Sequence, residues 1–422
     1  MTWWDGWLAF PLTVRLAAAA VVGLILGSLV TWAHTRLCWS GPEVTPWRRN
    51  FFTGKQRTFW RRLPVVGWWL LYRWGYFPRS VWWLRAMLVE LACAAGAALL
   101  YWWHCDRYGL FDARLVAGSP DNLAYLAHLQ WAHHLVLFGF LLVATLIDLD
   151  EKMIPDQITL PGTLLGIWWA AVCPSVWLRD QFHWREGGLV DRPLWATPEL
   201  LDTGWADSRG LFVALGILLI WGWGLLDKTC TLRRGVWRGL VYAVVSAWRR
   251  KTWQWVVPVV VVASLPVVGA WLRGGPHWAA ALSSILGLGF GGGVIWAVRL
   301  LARGALGVEA MGFGDVTLMA MIGSFIGWQP SLLVFFVAPF AALVVAVTQY
   351  IFTRSHEIAF GPYLSLATVV VLVGWRKVWL AGGRDYFSMP GMLLSLLATG
   401  LVLMAASLWL WRRLRDWLFG LE

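Results

Sequence analysis

An all-α polytopic membrane protein with about eleven transmembrane helices is the fold class this sequence predicts, and three observations predict it. Of the 422 residues, 59% are apolar and only 14% charged, with a mean hydropathy of +0.61, outside the usage of soluble globular domains. Apolar runs of roughly 18 or more residues, each long enough to cross a ~30 Å hydrocarbon core at ~1.5 Å per residue, recur from end to end. Lysines and arginines gather in alternate loops, the pattern that keeps basic loops on the cytoplasmic side.

The spans fall near 10–32, 84–103, 130–148, 158–176, 210–226, 254–272, 278–301, 314–328, 330–352, 358–375 and 390–411. Those at 210–226 and 314–328 are the weakest. The first lacks a basic segment before it, and its small residues Ala17 to Ala20 lie inside the apolar run, so it reads as a retained anchor and not a cleaved signal. Between the first two spans, Arg36, Arg48, Arg49, Lys55, Arg57, Arg61, Arg62, Arg73 and Arg79 face the single acid Glu43. Segment 227–253 is basic in the same way, and Arg412, Arg413 and Arg415 follow the last span. Segments 104–128, with Asp106, Asp112 and Asp121, and 177–208 lean acidic. An N-terminus outside and a C-terminus in the cytoplasm satisfy this charge pattern, except at 376–389, where Arg376, Lys377 and Arg384 would lie outside.

A net charge of +12 is also compatible with nucleic-acid binding, but the basic residues flank spans and no recognition fold accompanies them; the expected contact is the lipid bilayer. Many of the 36 tryptophans sit at span ends, among them Trp3, Trp4, Trp102, Trp103, Trp131, Trp184, Trp253, Trp409 and Trp411, as interfacial anchors do. Cys38, Cys93, Cys105, Cys173 and Cys230 are scattered without a CxxC pair, so no zinc site or disulfide framework is predicted.

Two motifs carry chemistry: IDLDEKMIPDQITLP at 147–161 and MGFGDV at 311–316. The topology brings Asp148, at the end of the third span, and Asp315, at the start of another, to the same membrane face. Two carboxylates in a partly dry site can divide acid and base work, one activating water and the other donating a proton, because close like charges do not ionise together readily. Asp148 and Asp315 are therefore the candidate catalytic pair. Gly312 and Gly314 would leave room beside Asp315 for an extended substrate, and Pro155 would end the third helix. Asp150 reads as a solvated flank and Asp156 as a helix cap. Helix ends assign Asp315, at an N-terminus, as the ionised base and Asp148, at a C-terminus, as the protonated partner.

These residues resemble the bacterial type IV prepilin peptidases. Asp148, Ile154, Pro155, Asp156, Thr159, Leu160 and Pro161 are similar to the family's first aspartate motif, and Glu309, Met311, Gly312, Gly314, Asp315, Val316 and Leu318 to its second, with Thr317 where the family usually has Lys. Supporting blocks are Gly27–Leu37, Leu63–Trp68, Arg85 with Val89, Glu90 and Leu91, and Phe360–Leu364. Glu90, inside the second span, is carried as a candidate site-shaping residue beside Arg85. His34, His133 and His134 are read as lying outside the chemistry.

The resemblance implies an aspartic endopeptidase of the inner membrane, with its site at the cytoplasmic face. Its substrates would be pilin-like or pseudopilin precursors of type IV pili or type II secretion, cut without a cofactor and then N-methylated with S-adenosylmethionine where methyl transfer is retained. It divides the chain into N-terminal spans and basic loop (1–128), a first half of the peptidase core (129–208), an inserted, accessory helix pair with a basic amphipathic segment (209–275), the second half of the core (276–376) and an additional span (377–422). The family's paired CxxC motifs are missing from the first loop. Presenilin-like proteases share GxGD but would carry Tyr-Asp and Pro-Ala-Leu motifs, and a transporter or scaffold would show interrupted internal repeats; neither signature is present. Oligomeric state is not legible.

Overall fold

In the computed structural model, residues 3–42, 44–47, 59–76, 81–112, 120–184, 188–196, 205–227, 236–306, 311–353 and 359–419 are described. Glu43, Arg48, Arg49, Lys55, Arg57, Arg79, Arg185, Cys230 and Glu309 lie outside them, as do the side chains of Trp3, Trp4, Asp121, Leu240, Trp411 and Arg415.

Each of the eleven expected spans coincides with a helix. After a short α1 (Trp3–Leu8) come α2 (Leu12–Leu37), the loop helix α3 (Val66–Arg73), α4 (Trp82–Tyr101), α5 (Pro120–Glu151) and α6 (Asp156–Val172). The insertion supplies α7 (Ser208–Leu225), α8 (Val236–Arg249) and α9 (Trp253–Arg273). Then follow α10 (Gly275–Leu306), α11 (Phe313–Ile326), α12 (Trp328–Thr353), α13 (Gly361–Val378), the short α14 (Arg384–Phe387) and α15 (Pro390–Phe419). Among the described residues, eight helices are long and apolar enough to cross a membrane unaided. The 17 residues of α6 and 14 of α11 are shorter than that. Helix α11 needs no lipid-facing length, because every residue from Asp315 to Ile326 is buried in protein.

Close backbone approach builds this centre. A Cβ placed on Gly287 of α10 would stand 2.1 Å from the Gly323 carbonyl oxygen of α11, and one on Gly323 would stand 2.0 Å from that of Gly287. Gly162 and Gly166 give α6 the same access, against Met321, Ser324 and Phe325. In a membrane, where burial from water does not drive helix association, such small residues let dispersion contacts hold the bundle. Helices α2 and α4 meet likewise at Gly23 and Gly27.

The acidic segment after α6 folds into an antiparallel hairpin, β1 (Arg179–Trp184) with β2 (Gly188–Pro193), an element the reading of the sequence did not anticipate. Arg179 pairs with Asp191 and Arg192 with Asp180 across the hairpin, and Arg384 adds a second partner for Asp180, so arginines neutralise these two acids of the loop. The tryptophans divide. Trp409 is exposed on a helix flank, as an interfacial anchor would be, whereas Trp68, Trp177, Trp278 and Trp375 are fully buried, and the indole of Trp375 donates to the Arg179 carbonyl. The insertion is no detached module: α7 and α9 pack with α6 and α10 around Leu218, Ala263, Val267 and Leu282. On α8, Trp237, Val241, Val244, Val245 and Trp248 form an exposed apolar face, as the amphipathic pattern predicts.

Candidate active site

Asp148 lies in the last turn of α5. The helix stops at Glu151, Lys152 takes a left-handed φ of 55°, and its amide closes the helix on the Asp148 carbonyl at 2.9 Å. Pro155 then serves as the N-cap position of α6 at φ −76°, ψ 141°. It both keeps Ile154 out of helical geometry and starts the next helix. The turn thus aims Ile154 inward, where it wedges between two helix N-termini. A Cβ on Gly314 would sit 2.9 Å from Ile154 Cβ, and one on Gly361 would sit 2.8 Å from Ile154 Cδ1.

Asp315 is the third residue of α11, which Gly312 caps with extended backbone. Both aspartates are buried, at 5% and 8% exposure, and Asp315 lies close enough to Asp148 for the two charges to repel. The structure brings the predicted pair together. The two glycines part company: Gly314 is required because Ile154 fills its side-chain space, so it makes room for the protein's own turn and not for substrate. At Gly312, among the described residues, an added Cβ would meet nothing nearer than Asp315 Oδ2 at 3.7 Å. Thr317, standing where Lys was expected, turns its hydroxyl back to the Gly314 carbonyl at 3.0 Å.

A third element completes the site. The Gly361 amide, at the first turn of α13, donates to Asp148 Oδ2 at 2.9 Å, and Tyr363 lies within reach of the Asp148 charge. Asp148 therefore sits at the C-terminus of α5 and the N-terminus of α13 at once. The α13 N-terminus thus offsets the α5 C-terminus at Asp148, so helix ends separate the two aspartates less than the end of α5 alone would. The Phe360–Leu364 block had been legible as a motif, but its partner had not. Arg299 was missed altogether: its Nε donates to the Met311 carbonyl at 3.1 Å and its guanidinium lies over the Phe313 ring at 5.7 Å, holding the glycine loop from α10.

The remaining candidates form a separate layer. Glu90 is fully buried, but it accepts from Thr31 Oγ1 at 2.8 Å, Trp68 Nε1 at 3.2 Å and the amide of Val65, whose φ of 63° is a left-handed conformation costly for a β-branched residue. It anchors the loop around α3. Asp150 is not a solvated flank: Arg85 donates to both its oxygens at 2.7 and 2.9 Å, and His34 Nε2 donates at 2.8 Å. Glu151 takes the amide of Ser40 at 2.9 Å and the thiol of Cys38 at 3.0 Å. His34, Cys38 and Asp150 offer donor atoms within 4.8 Å of one another, a cluster of metal-ligand type among the described residues, although Arg85 already occupies both Asp150 oxygens. Farther along α5, His133 Nε2 donates to the Phe325 carbonyl at 3.1 Å, tying α5 to the far end of α11, and His134 contacts His104 at 2.8 Å. Both are buried in protein.

Residues 225–347, which include Asp315, match the type IV leader peptidase family. Curated relatives named prepilin leader peptidase/N-methyltransferase include those of Aeromonas salmonicida strain A449 (32% identical over 81 residues, 18% of this chain and 26% of the relative), Pseudomonas aeruginosa (28% over 117 residues, 27% and 39%) and Escherichia coli K12 (30% over 91 residues, 21% and 40%). The matched stretches thus span between a quarter and two fifths of these relatives' lengths. No solved structure matches. The stretch that carries the second aspartate motif is thus similar to the type IV leader peptidase family.

Proposed function

We propose that this chain is a membrane-embedded aspartic endopeptidase that removes basic leader peptides from type IV pilin-like precursors at the cytoplasmic face of the bacterial inner membrane. The observation that carries the reading is the convergence of Asp148 and Asp315, each on a different helix end and each buried. One aspartate takes a proton from water as the water oxygen attacks the scissile carbonyl carbon. The other gives its proton to the carbonyl oxygen. When the C–N bond breaks, the leaving amine takes up the proton held by the base, and the carbonyl re-forms with loss of the proton it received. S-adenosylmethionine has no part in these steps. The basic loops between α2 and α4 and beside α8 support a cytoplasmic placement of this face.

The test is co-expression with a pilin-like precursor and mass spectrometry of its N-terminus. A product shortened by the leader in the presence of the chain, and an intact precursor with Asp148→Asn, is the expected result. An intact precursor beside correctly inserted wild-type chain would overturn the proposal.

A further inference from the structure

Between α4, α5 and α13 lies an open groove of about 610 Å³. Its walls are aliphatic and aromatic, with Thr145 and Ser365 as the hydroxyl-bearing residues. It runs from Ala92 on α4 to Trp103 just past the end of that helix, from Leu135 to Thr145 on α5 and from Pro362 to Val373 on α13. At a rise of ~1.5 Å per residue each wall is roughly 15 Å long, about three turns of helix. One end of the groove lies at the candidate site: Thr145 is one turn before Asp148, and Pro362 follows the glycine whose amide holds Asp148.

From this continuity we infer that the groove holds the apolar helix of the precursor, N-terminal end toward Asp148, so that the bond to be cut emerges between the two aspartates. This inference rests on the peptidase reading. Three features favour a helix. A segment in an apolar, water-free cleft must satisfy its own backbone groups, which a helix does. The three walls are of matching length. At Gly96, which lines the groove, nothing stands within 4 Å of an added Cβ, so a partner backbone can approach closely there.

The same open space makes Gly96→Trp a substitution that fills the groove without clashing with the fold. Two substrates separate the readings: a full-length precursor in proteoliposomes, and a water-soluble peptide carrying the leader and scissile bond but no apolar helix. For the full precursor, Gly96→Trp is expected to raise KM at least about tenfold, while Gly96→Ala behaves as wild type and cleavage of the peptide by either variant is unchanged. Wild-type KM for the full precursor with Gly96→Trp would overturn the inference and leave the groove to lipid chains. Failure of the wild-type chain to cut either substrate would sink the peptidase reading instead. A binding measurement independent of turnover uses the Asp315→Asn chain with Cys93 as its single cysteine, oxidised with precursors carrying one cysteine along the apolar helix. Disulfides at positions three or four residues apart are expected; no disulfide, or equal yield at every position, would refute docking in this groove.

Discussion

Replacing Gly361 with alanine probes the least expected part of the site. The added Cβ would lie 2.6 Å from Asp148 Oδ2, 3.2 Å from Asp148 Cγ and 2.8 Å from Ile154 Cδ1. Ordinary contact begins near 3.4 Å, so the carboxylate must retreat by roughly 0.8 Å, and the 2.9 Å hydrogen bond from the Gly361 amide breaks as it does. Misplacement of a catalytic group by about 1 Å costs on the order of 100-fold in rate, equivalent to about 2.7 kcal/mol of transition-state stabilisation. Overpacking costs a further ~1–3 kcal/mol of stability, which a thermal melt in detergent separates from the catalytic loss. Gly374→Ala, on the same helix, is the control, since among the described residues nothing stands within 4 Å of its added Cβ. The assay is initial-rate cleavage of a purified precursor by equal amounts of folded chain. Gly361→Ala cutting at the wild-type rate, or Gly374→Ala losing as much as Gly361→Ala, would refute the placement of Asp148 against α13.

Asp148→Asn and Asp315→Asn should each abolish precursor cleavage in a chain that still inserts, and the double variant should be no worse than either single one, because half of an acid–base pair leaves little for the other half to do; rates by mass spectrometry of the product decide it. Asp150→Asn weakens the Arg85 and His34 contacts and should lower stability by about 1–3 kcal/mol while the folded fraction retains most of its activity; inactivation without loss of stability would place Asp150 in the chemistry. Glu90→Ala removes the buried acceptor of the Val65 amide and the Trp68 indole, while the Thr31 hydroxyl keeps the Ser28 carbonyl, and should cost about 1–3 kcal/mol, with Glu90→Gln less harmful, read as proteolytic sensitivity of the segment around α3. Replacing 209–275 with a short linker strips α6 and α10 of their partners at Leu218, Ala263 and Val267, so a steep fall in thermal stability is expected; an equally stable truncated chain would show that the insertion packs more loosely than its contacts imply.

The membrane class, the helices and the identity of the two aspartates were determined by the sequence itself, because each rests on information local to the chain. Apolar length marks a span, basic flanks suggest its direction, and Asp148 and Asp315 are named by their neighbours Ile154, Pro155, Gly312 and Gly314. What those neighbours do was decided by tertiary structure. Gly314 is small because Ile154, from a turn distant in sequence, occupies its side-chain space; Asp148 is held by an amide of α13; Arg299 grips the glycine loop from α10. Asp150 and Glu90 looked like a flank and a site residue, and became structural anchors through His34, Arg85 and Trp68, none of which a local pattern connects to them. The division has one physical cause: hydropathy and helix boundaries follow from interactions within a few residues, whereas the partner that satisfies a buried carboxylate or fills the space beside a glycine comes from a remote helix and exists only once the bundle has packed.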